Sequence, residues 1–234
     1  MDHKVVLITG GSKGIGLGIA EALLKEGYKV AITSRTIDAA NQAASRLVEH
    51  GDVLAIEANV RDFNSQQDAV NLVVEKWGRL DVLIANAGVG HFASIEDLSI
   101  ETWKETIDTN LTGVFYGIKA AVAELKRTQG YFITISSLAG TNFFAGGSAY
   151  NASKFGLTGF TQSVMLDLRQ FGVKVTTIMP GSVSTYFNAH QPDAEKDAWK
   201  IQPEDLGQLV SDLLKMPART LPSKIEIRPT TPKG

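Results

Sequence analysis

The sequence is informative first through what it lacks. It contains no cysteine among its 234 residues, which excludes disulfide bonds and thiolate ligands for a metal ion. No apolar run approaches the length of a membrane span, and the run at residues 5–8 is too short for the core of a signal peptide. We therefore expect a cytoplasmic protein with no membrane partner, because a reducing compartment suits a chain without disulfides.

Neither sign of charge is in large excess. Lys and Arg together number 23, Asp and Glu together number 25, and the formal net charge is -2 at pH 7. A nearly neutral chain gives no electrostatic reason to expect nucleic acid as a partner. The histidines show no spacing typical of a metal site, so we also expect no metal ion.

What the sequence does contain is a regular alternation of short apolar runs and longer segments with helical periodicity. The runs are continuous and rich in β-branched residues, as expected for strands that are buried on both faces. Strands that alternate with helices predict right-handed βαβ units and a parallel sheet. The runs occupy residues 5–9, 30–33, 53–56, 82–85, 132–135, 173–178 and 225–227.

This alternation predicts an α/β fold with a single domain over residues 1–234. We expect a Rossmann-type, doubly wound parallel sheet of about seven strands flanked by helices, since no linker rich in Pro, Gly or Ser divides the chain. Residues 182–202 break the alternation and form a candidate lid over the substrate. We interpret the charged residues of this segment as solvated: Asp193, Glu195, Lys196 and Asp197.

The first strand ends in a glycine-rich turn that a helical segment follows. Glycine permits positive φ and close approach of the backbone to a ligand, and the start of a helix offers free N–H groups to a pyrophosphate. The turn predicts a dinucleotide site, although a plain strand-to-helix turn also uses glycine. A P-loop is excluded because no Gly-Lys-Ser or Gly-Lys-Thr follows. The candidate residues are Gly10, Ser12, Lys13, Gly14, Ile15 and Gly16.

Recognition of the adenosine ribose is expected at the end of the second strand. A carboxylate there binds the free 2′-hydroxyl of NAD(H), whereas an Arg accommodates the 2′-phosphate of NADP(H). The sequence has Ser34 and Arg35 at this point and no carboxylate, and Lys13 is expected nearby. Two cations and no acid favour NADP(H), unless both are ordinary solvated charges.

A Tyr and a Lys are spaced for acid–base chemistry. Tyr150 and Lys154 are four residues apart in a segment with helical periodicity, so they share one face of the predicted helix. An ammonium beside a phenol lowers the pKa of the phenol. The strand at residues 132–135 leads into Ser136 and Ser137, at the edge of the sheet where ligands bind. We predict that Ser137 holds the substrate oxygen while Tyr150 transfers a proton, with Ser136 as the rival for this role.

Taken together, these motifs resemble the short-chain dehydrogenase/reductase family across nearly the whole chain. The resemblance implies a Rossmann-type domain in which Tyr150 is the acid/base, Ser137 positions the substrate oxygen and Lys154 holds the nicotinamide ribose. It also implies that Asn110 binds a water that relays protons through Lys154. The matching residues, besides the glycine turn, are Asn86, Ala87, Gly88, Asn110, Ser137, Tyr150, Lys154, Pro180 and Gly181.

The resemblance implies further contacts with the cofactor. Asn59 and Val60, after the third strand, are expected near adenine, although the family commonly has an Asp at the place of Asn59. The family also suggests a homodimer or homotetramer that forms through two long helices, at about residues 101–126 and 149–171. The remaining implied cofactor residues are Asn86, Ala87 and Gly88 after the fourth strand, and Pro180, Gly181, Val183 and Thr185 after the sixth.

Aromatic side chains in three loops indicate a substrate with an apolar part. Together with one histidine they are candidates for the lining of the substrate pocket, but each of them is equally compatible with the core or a subunit contact. The candidates are His91 and Phe92 after the fourth strand, Phe143 and Phe144 after Ser137, and Tyr186 and Phe187 in the lid.

The leading hypothesis is an NADP(H)-dependent oxidoreductase that moves a hydride between nicotinamide and a carbonyl or alcohol. A 3-oxoacyl reductase, a small-ketone or diketone reductase and a sepiapterin-type pteridine reductase all remain open. The lid has no basic cluster, which favours a free small molecule over an acyl-carrier substrate. The alternatives are an NAD-linked alcohol or sugar dehydrogenase, and a non-catalytic nucleotide-binding sensor or scaffold, which would be expected to lack part of the Ser, Tyr and Lys set.

Overall fold

The computed structural model describes residues 4–232 and contains all seven predicted strands in one sheet. The predicted domain range, 1–234, also includes residues 1–3 and 233–234, which lie outside the described part. The strands are β1 (Val5–Ile8), β2 (Lys29–Ser34), β3 (Val53–Glu57), β4 (Val82–Ala85), β5 (Tyr131–Ile135), β6 (Lys174–Pro180) and β7 (Lys224–Ile227). Every neighbouring pair is parallel, in the order β3-β2-β1-β4-β5-β6-β7. The prediction of a doubly wound parallel sheet is therefore confirmed.

Seven α-helices cover the two faces of this sheet in the described residues. None of them is long and apolar enough to cross a membrane. The helices are α1 (Gly14–Lys25), α2 (Ile37–Leu47), α3 (Phe63–Trp77), α4 (Ile100–Ile107), α5 (Gly113–Thr128), α6 (Ser148–Leu168) and α7 (Pro203–Lys215).

Alternate residues of the central strand enter two different cores. Val5 and Leu7 pack with residues of α3, α5 and α6, whereas Val6 and Ile8 pack with residues of α1, α2 and α7. Since both faces of β1 are buried, every position of the strand must be apolar. This is the physical reason why the strands could be recognised as continuous apolar runs.

The order of the strands reverses between β1 and β4, which are neighbours. The chain moves outward from β1 to β3 and then returns to begin β4 on the other side of β1. The connections that leave β1 and β4 therefore diverge to opposite faces and open a crevice at the carboxyl ends of these strands. The glycine turn, the Asn-Ala-Gly segment and the serine pair all follow strands at this edge.

The first of the two long predicted helices is interrupted. α4 ends at Ile107, α5 begins at Gly113, and Asp108–Thr112 form a π-helical turn between them. Such turns are rare and occur frequently at functional sites. The second long helix is α6, which a 3₁₀ turn at Arg169–Phe171 extends.

Helices α1 and α7 cross at two glycines. A Cβ on Gly207 would lie 2.6 Å from the carbonyl oxygen of Gly18, and a Cβ on Gly18 would lie 2.6 Å from the carbonyl oxygen of Pro203. The two backbones approach so closely that no side chain fits between them. This crossing fixes the start of α7, and therefore the point where the segment at residues 182–202 ends.

We predict that Gly207→Ala lowers the free energy of unfolding by about 1–3 kcal/mol, the usual cost of overpacking. The new methyl group would meet backbone atoms of α1 that cannot move aside. Gly159→Ala is the matched control, because Gly159 also lies within a helix but nothing lies within 4 Å of its added Cβ. The control should be neutral or more stable by roughly 0.5–1 kcal/mol. Urea unfolding followed by circular dichroism measures both variants, and equal destabilisation would contradict the tight crossing.

Candidate active site

The glycine turn after β1 lies directly against the segment that follows β4. Gly10 and Gly14 have φ angles of 65° and 56°, in the region that other residues rarely adopt. A Cβ on Gly10 would lie 2.9 Å from the Cα of Ala87. The two backbones are therefore in contact, and only glycine permits this path of the chain.

Hydrogen bonds of Thr9 and Asn86 hold this contact in place. Asn86 Nδ2 donates to the carbonyl oxygens of Thr9 and Gly10, at 2.9 and 3.0 Å. Thr9 Oγ1 accepts from the backbone N–H groups of Asn86 and Ala87, both at 3.1 Å. A Cβ on Gly16 would lie 2.5 Å from Asn86 Nδ2, so the start of α1 is drawn to the same point.

The first turn of α1 is open to an anion. Lys13 precedes the helix without making a side-chain cap, and the first turn contains no acidic residue. The first N–H groups of a helix have no partner within it, and here they belong to Gly14, Ile15 and Gly16. A Cβ on Gly14 would lie 3.3 Å from Thr185 Cγ2, so Thr185 lies beside the turn. This cradle, which a side chain would fill, fits a pyrophosphate.

The end of β2 lies next to the glycine turn. Ser12 Oγ donates to Ser34 Oγ at 3.3 Å. Lys13 and Arg35 are both exposed, and neither side chain has an ion-pair or hydrogen-bond partner within residues 4–232. Both cations are therefore available to an anionic ligand at this edge.

A carboxylate at the same edge was missed in the sequence. Glu57, the last residue of β3, is opposite Ser34 in the register of the sheet. Its Oε2 accepts from the backbone N–H of Ile37, the first residue of α2, at 3.1 Å. The predicted parallel pairing of β2 and β3 could have indicated Glu57, because this pairing sets the ends of the two strands side by side. Asn59, two residues further, is exposed, and its Oδ1 accepts from Arg61 N at 3.1 Å.

Tyr150, Ser137 and Lys154 come together where β5 meets α6. Tyr150 and Lys154 lie one turn apart on α6, and their exposed fractions are 8% and 5%. The side-chain hydroxyl of Ser137 faces that of Tyr150, close enough to lower the pKa of the phenol. Lys154 Nζ donates to the carbonyl oxygen of Ile135 at 3.0 Å and lies 5.7 Å from the centre of the Tyr150 ring.

The two serines after β5 point in different directions. Ser136 is buried, and its Oγ lies 3.1 Å from Thr158 Oγ1 on α6. Ser137 Oγ accepts from the backbone N–H of Ala139 at 3.1 Å and meets the hydroxyl of Tyr150. Ser137, and not Ser136, therefore faces the Tyr150 hydroxyl.

Burial dominates the electrostatics of this cluster. Desolvation raises the pKa of Tyr150 to about 12, and the nearby Ser137 hydroxyl opposes only part of this increase. Desolvation also lowers the pKa of Lys154 to about 8. The expectation that Lys154 lowers the pKa of Tyr150 is not met by the protein's own groups, because burial raises this pKa and only Ser137 opposes the increase. At pH 7 the phenol is neutral and is therefore a proton donor.

The π-helical turn brings Asn110 against the loop after β4. Asn110 Oδ1 accepts from the backbone N–H of Val89 at 2.8 Å, and its Nδ2 donates to Val89 O and Ser153 Oγ at 2.8 and 3.0 Å. Ser153 Oγ donates in turn to the carbonyl oxygen of Tyr150 at 2.8 Å. The Asn110 side chain thus ties the Gly88 loop to α6, and a Cβ on Gly88 would lie 3.3 Å from Asn110 Oδ1.

Gln66 links Val60, which is expected near adenine, to the end of the π-helical turn at Asp108–Thr112. Its Nε2 donates to the carbonyl oxygens of Val60 and Gly113, both at 2.7 Å. Gln66 is buried, and sequence reasoning missed it. A polar residue on the otherwise apolar face of α3 was the feature of the sequence that could have indicated its role.

Aromatic rings pack around the Tyr150 side chain. The ring centres of Phe92 and Phe187 each lie 5.5 Å from that of Tyr150. Phe144 extends the group, because its ring centre lies 5.4 Å from that of Phe92. We call these three phenylalanines the ring cluster.

The other substrate candidates lie elsewhere. Phe143 and Tyr186 have exposed fractions of 87% and 52%, so they face solvent. His91 Nε2 lies 3.3 Å from Glu105 Oε2 on α4. Of the predicted aromatic residues, the structure therefore brings Phe92, Phe144 and Phe187 to Tyr150.

Asn151 shapes the loop that carries Phe144, and sequence reasoning missed it. Its Nδ2 donates to the carbonyl oxygens of Ala139 and Asn142, at 2.7 and 2.8 Å. Asn has a low helix propensity and tends to hydrogen-bond to nearby backbone groups, which was the available signal. The residue next to Tyr150 thereby fixes the loop that follows Ser137.

The end of β6 holds the last predicted cofactor residues. Pro180 belongs to β6 and pairs with Ile227 of β7, and Gly181 N donates to Ile227 O at 2.8 Å. Val183 pairs with Ile201 in an isolated bridge. Pro180 and Gly181 are thus part of the sheet edge, and Val183 lies in the segment that crosses it.

Comparison with known proteins identifies the family. The family model described as short chain dehydrogenase matches residues 4–196. This chain belongs to the short-chain dehydrogenase family. It is therefore an oxidoreductase by family, and the cluster of Ser137, Tyr150 and Lys154 is its candidate catalytic centre.

The relatives of this short-chain dehydrogenase are named for different activities. The trans-4-hydroxycyclohexanecarboxylate dehydrogenase of Sinomonas cyclohexanicum is 36% identical over 194 residues, which cover 80% of this chain and 75% of the relative. A 3-oxoacyl-[acyl-carrier-protein] reductase of Synechocystis is 35% identical over 78% of this chain and 75% of its own length. The structure of an alcohol dehydrogenase from Thermococcus sibiricus, complexed with 5-hydroxy-NADP, matches with a TM-score of 0.93 at 30% identity over 99% of both chains.

One interpretation of the segment at residues 182–202 was wrong. Asp197 is not a solvated charge, because its exposed fraction is 3%. Its carboxylate is paired with His190 and Lys200, and these partners are the physical reason why the charge can be buried. Glu195 and Lys196 are exposed, as expected.

We predict that Lys154 makes the stability of this short-chain dehydrogenase depend on pH. Folding lowers the pKa of Lys154 from 10.5 to about 8, so the unfolded chain binds more protons between these two values. Its contribution to stability therefore rises as the pH increases from about 8 to 10.5, and below pH 8 the buried ammonium costs roughly 3 kcal/mol. Lys154→Met should be more stable than the wild type at pH 7, and the difference should shrink towards pH 10.

Urea unfolding of both proteins between pH 7 and pH 10 measures this difference. Lys119→Met is the control, because Lys119 is an exposed lysine of α5, and its effect should not change with pH. A stability difference between the wild type and Lys154→Met that stays constant across this range would contradict the lowered pKa.

Proposed function

We propose that this short-chain dehydrogenase is an NADP(H)-dependent carbonyl reductase, acting on a ketone or a 3-oxoacyl group. The observation that carries the proposal is the neutral, buried hydroxyl of Tyr150, which faces the Ser137 hydroxyl beside the ring cluster. A carbonyl oxygen that enters between these two hydroxyls meets a proton donor and a second hydrogen-bond donor. General-acid catalysis requires this arrangement.

The cradle at the start of α1 supports a dinucleotide cofactor. When bound, NADPH supplies the hydride that reduces the carbonyl carbon. The free N–H groups of α1 would bind its pyrophosphate, Lys154 would hold the nicotinamide ribose, and Asn59 and Val60 would lie beside the adenine. Val183 and Thr185, in the segment after β6, would contact the nicotinamide side, since Thr185 already lies against the glycine turn.

In this mechanism Tyr150 Oη donates its proton to the substrate oxygen, while Ser137 Oγ donates a hydrogen bond to the same oxygen. The ammonium of Lys154, whose pKa is about 8, stabilises the phenolate that remains. The side chain of Asn110 makes three hydrogen bonds within the protein, to Val89 and to Ser153. The family resemblance implies that Asn110 would also hold the water of a proton relay through Lys154.

The preference for NADP(H) rests on the unpaired cations Lys13 and Arg35 beside the end of β2. The structural relative in complex with 5-hydroxy-NADP supports this preference. An NAD-linked alcohol or sugar dehydrogenase is the second candidate, and Glu57 favours it. The carboxylate of Glu57 already occupies the first N–H of α2, where it would repel a 2′-phosphate.

The proposed substrate has an apolar part that lies against the ring cluster. Aromatic and apolar side chains with few convergent polar groups are typical of small-molecule pockets. Of the two lysines in residues 182–202, Lys200 is paired with Asp197. The segment thus offers no basic cluster for an acyl-carrier protein, which favours a free ketone. The names of the relatives, a ring hydroxyacid dehydrogenase and a 3-oxoacyl reductase, support the carbonyl and alcohol class.

We also propose that the protein forms a homodimer or homotetramer through α4, α5 and α6. Trp103, Phe115, Phe155 and Leu166 are large apolar side chains that these helices expose, and exposed apolar groups of this kind mark interaction surfaces. A cytoplasmic location stays a prediction from composition. The sensor or scaffold alternative is disfavoured because Ser137, Tyr150 and Lys154 are all present, with Ser137 facing the Tyr150 hydroxyl and Lys154 Nζ 5.7 Å from the centre of the Tyr150 ring.

We predict that Tyr150→Phe lowers turnover of a carbonyl panel with NADPH by at least about 10²-fold, the usual contribution of a general acid. Binding of NADPH, measured by fluorescence titration, should change little, because the phenol acts on the substrate oxygen. A variant that keeps most of its activity would show that Tyr150 is not the acid.

The two serines provide the matched pair for this experiment. Ser137→Ala should lower turnover by a comparable factor, because its hydroxyl faces Tyr150. Ser136→Ala removes the contact with Thr158 and should leave turnover largely intact. The opposite ranking of the two alanine variants would assign the substrate oxygen to Ser136.

We predict that Arg35→Asp weakens the binding of NADPH at least tenfold more than that of NADH, a difference of about 1.4 kcal/mol. The new carboxylate repels a 2′-phosphate and accepts from a free ribose hydroxyl. Arg46→Asp, the same charge change in the last turn of α2, is the control and should affect both cofactors equally. Equal weakening of both cofactors by Arg35→Asp would contradict the phosphate role.

A further inference from the structure

The segment between β6 and α7, residues 182–202, folds back on itself. Ser184 N donates to Ile201 O at 2.9 Å, and Ile201 N donates to Ser182 O at 3.0 Å. Within this segment, all of which the structure describes, the longest helical element is the 3₁₀ turn Phe187–Ala189. The shape of the segment therefore depends on side-chain contacts more than on regular secondary structure.

Asp197 is the centre of these contacts. One of its oxygens, Oδ2, accepts from Ser184 Oγ at 2.9 Å and lies 2.5 Å from His190 Nε2. The other, Oδ1, lies 2.6 Å from Lys200 Nζ, and the backbone N–H of Asp193 donates to Oδ2 at 3.4 Å. One buried carboxylate thus joins the beginning, the middle and the end of the segment.

The same segment provides two contacts to the proposed site. Thr185 lies against the glycine turn, where a Cβ on Gly14 would be 3.3 Å from its Cγ2. The Phe187 ring lies 5.5 Å from that of Tyr150, and a Cβ on Gly90 would be 2.2 Å from Phe187 ring atoms. One contact is on the cofactor side and the other is on the substrate side.

The residues that Asp197 holds flank these two contacts. Ser184 directly precedes Thr185, and His190 follows Phe187 by three residues. The stretch that carries Thr185 and Phe187 is thereby tied at both of its ends to one carboxylate. The side-chain hydrogen bonds and ion pairs of Asp197 are all to residues of the segment itself.

We infer that Asp197 is a positioning residue, which holds Thr185 against the cofactor turn and Phe187 against Tyr150 so that cofactor and substrate are bound by a preformed segment. This role rests on the proposed function, because it requires a nucleotide in the cradle of α1. Loss of the carboxylate leaves the sheet and the proton-transfer groups in place. It frees the segment, which must then be ordered when the cofactor binds, and this ordering weakens the affinity.

The first test compares Asp197→Asn with the wild type and with Glu195→Gln, an exposed carboxylate two residues away. We expect the Kd for NADPH to rise about tenfold in Asp197→Asn, equivalent to about 1.4 kcal/mol, and to stay unchanged in Glu195→Gln. The KM for a carbonyl that the panel identifies should rise as well, whereas kcat at saturation should stay within a few-fold. A purely structural role would instead lower the fraction of active protein and leave Kd and KM unchanged.

A spectroscopic readout follows the segment directly. Trp199 lies within it, and Trp77→Phe with Trp103→Phe removes the other two of the three tryptophans. In this background, Asp197→Asn should increase the acrylamide quenching of Trp199, and saturating NADPH should reverse part of the increase. Unchanged quenching would overturn the claim that Asp197 orders the segment.

The outcomes separate this role from the proposed function. A wild type that binds neither NADPH nor NADH overturns the proposed function and this role with it. A wild type that binds NADPH, together with an Asp197→Asn variant that binds it equally well, overturns the positioning role alone. Should Asp197→Asn fail to fold, His190→Gln removes one of the three side-chain partners of the carboxylate. This variant must show a smaller rise in the NADPH Kd, and no rise overturns the role.

Discussion

The close contact of two backbones at the ends of β1 and β4 is the constraint on which the candidate site depends. Gly10 meets the Cα of Ala87 without room for a side chain, and Asn86 and Thr9 bind the two segments together with four hydrogen bonds. Because this contact lies where the order of the strands reverses, it sets the direction of α1. The open N–H groups of α1 and the loop that leads to Asn110 both follow from it.

Burial around α6 gives the second half of the site its chemical character. An exposed Tyr and Lys would keep ordinary pKa values. Here desolvation raises the pKa of Tyr150, so that its phenol is neutral, and lowers the pKa of Lys154. The cost of burying Lys154 is offset in part by its hydrogen bond to Ile135 O. The proposed reduction needs such a pair, a proton donor next to a cation that can stabilise the resulting phenolate.

The fold was predictable because its signals are local. Strands buried on both faces must be apolar throughout, so all seven were recognisable from short windows of sequence. The π-helical turn at Asp108–Thr112 was not, because it depends on the pairing of Asn110 with Val89 of a different loop. Glu57 was missed for a similar reason, since only the register of β3 against β2 brings it to the cofactor edge. Asp197 was misjudged because its cationic partners become neighbours only when the segment folds back.

The sequence by itself determined the sheet, the glycine turn and the spacing of Tyr150 and Lys154, because each of these depends on residues close together in the chain. It also determined the family, through the order of its motifs. The tertiary structure alone decided that Ser137 and not Ser136 faces Tyr150, and which aromatic residues form the ring cluster. It also decided that burial, rather than the nearby ammonium, controls the pKa of Tyr150. These properties depend on side-chain direction and on exclusion of water, which distant parts of the chain create together.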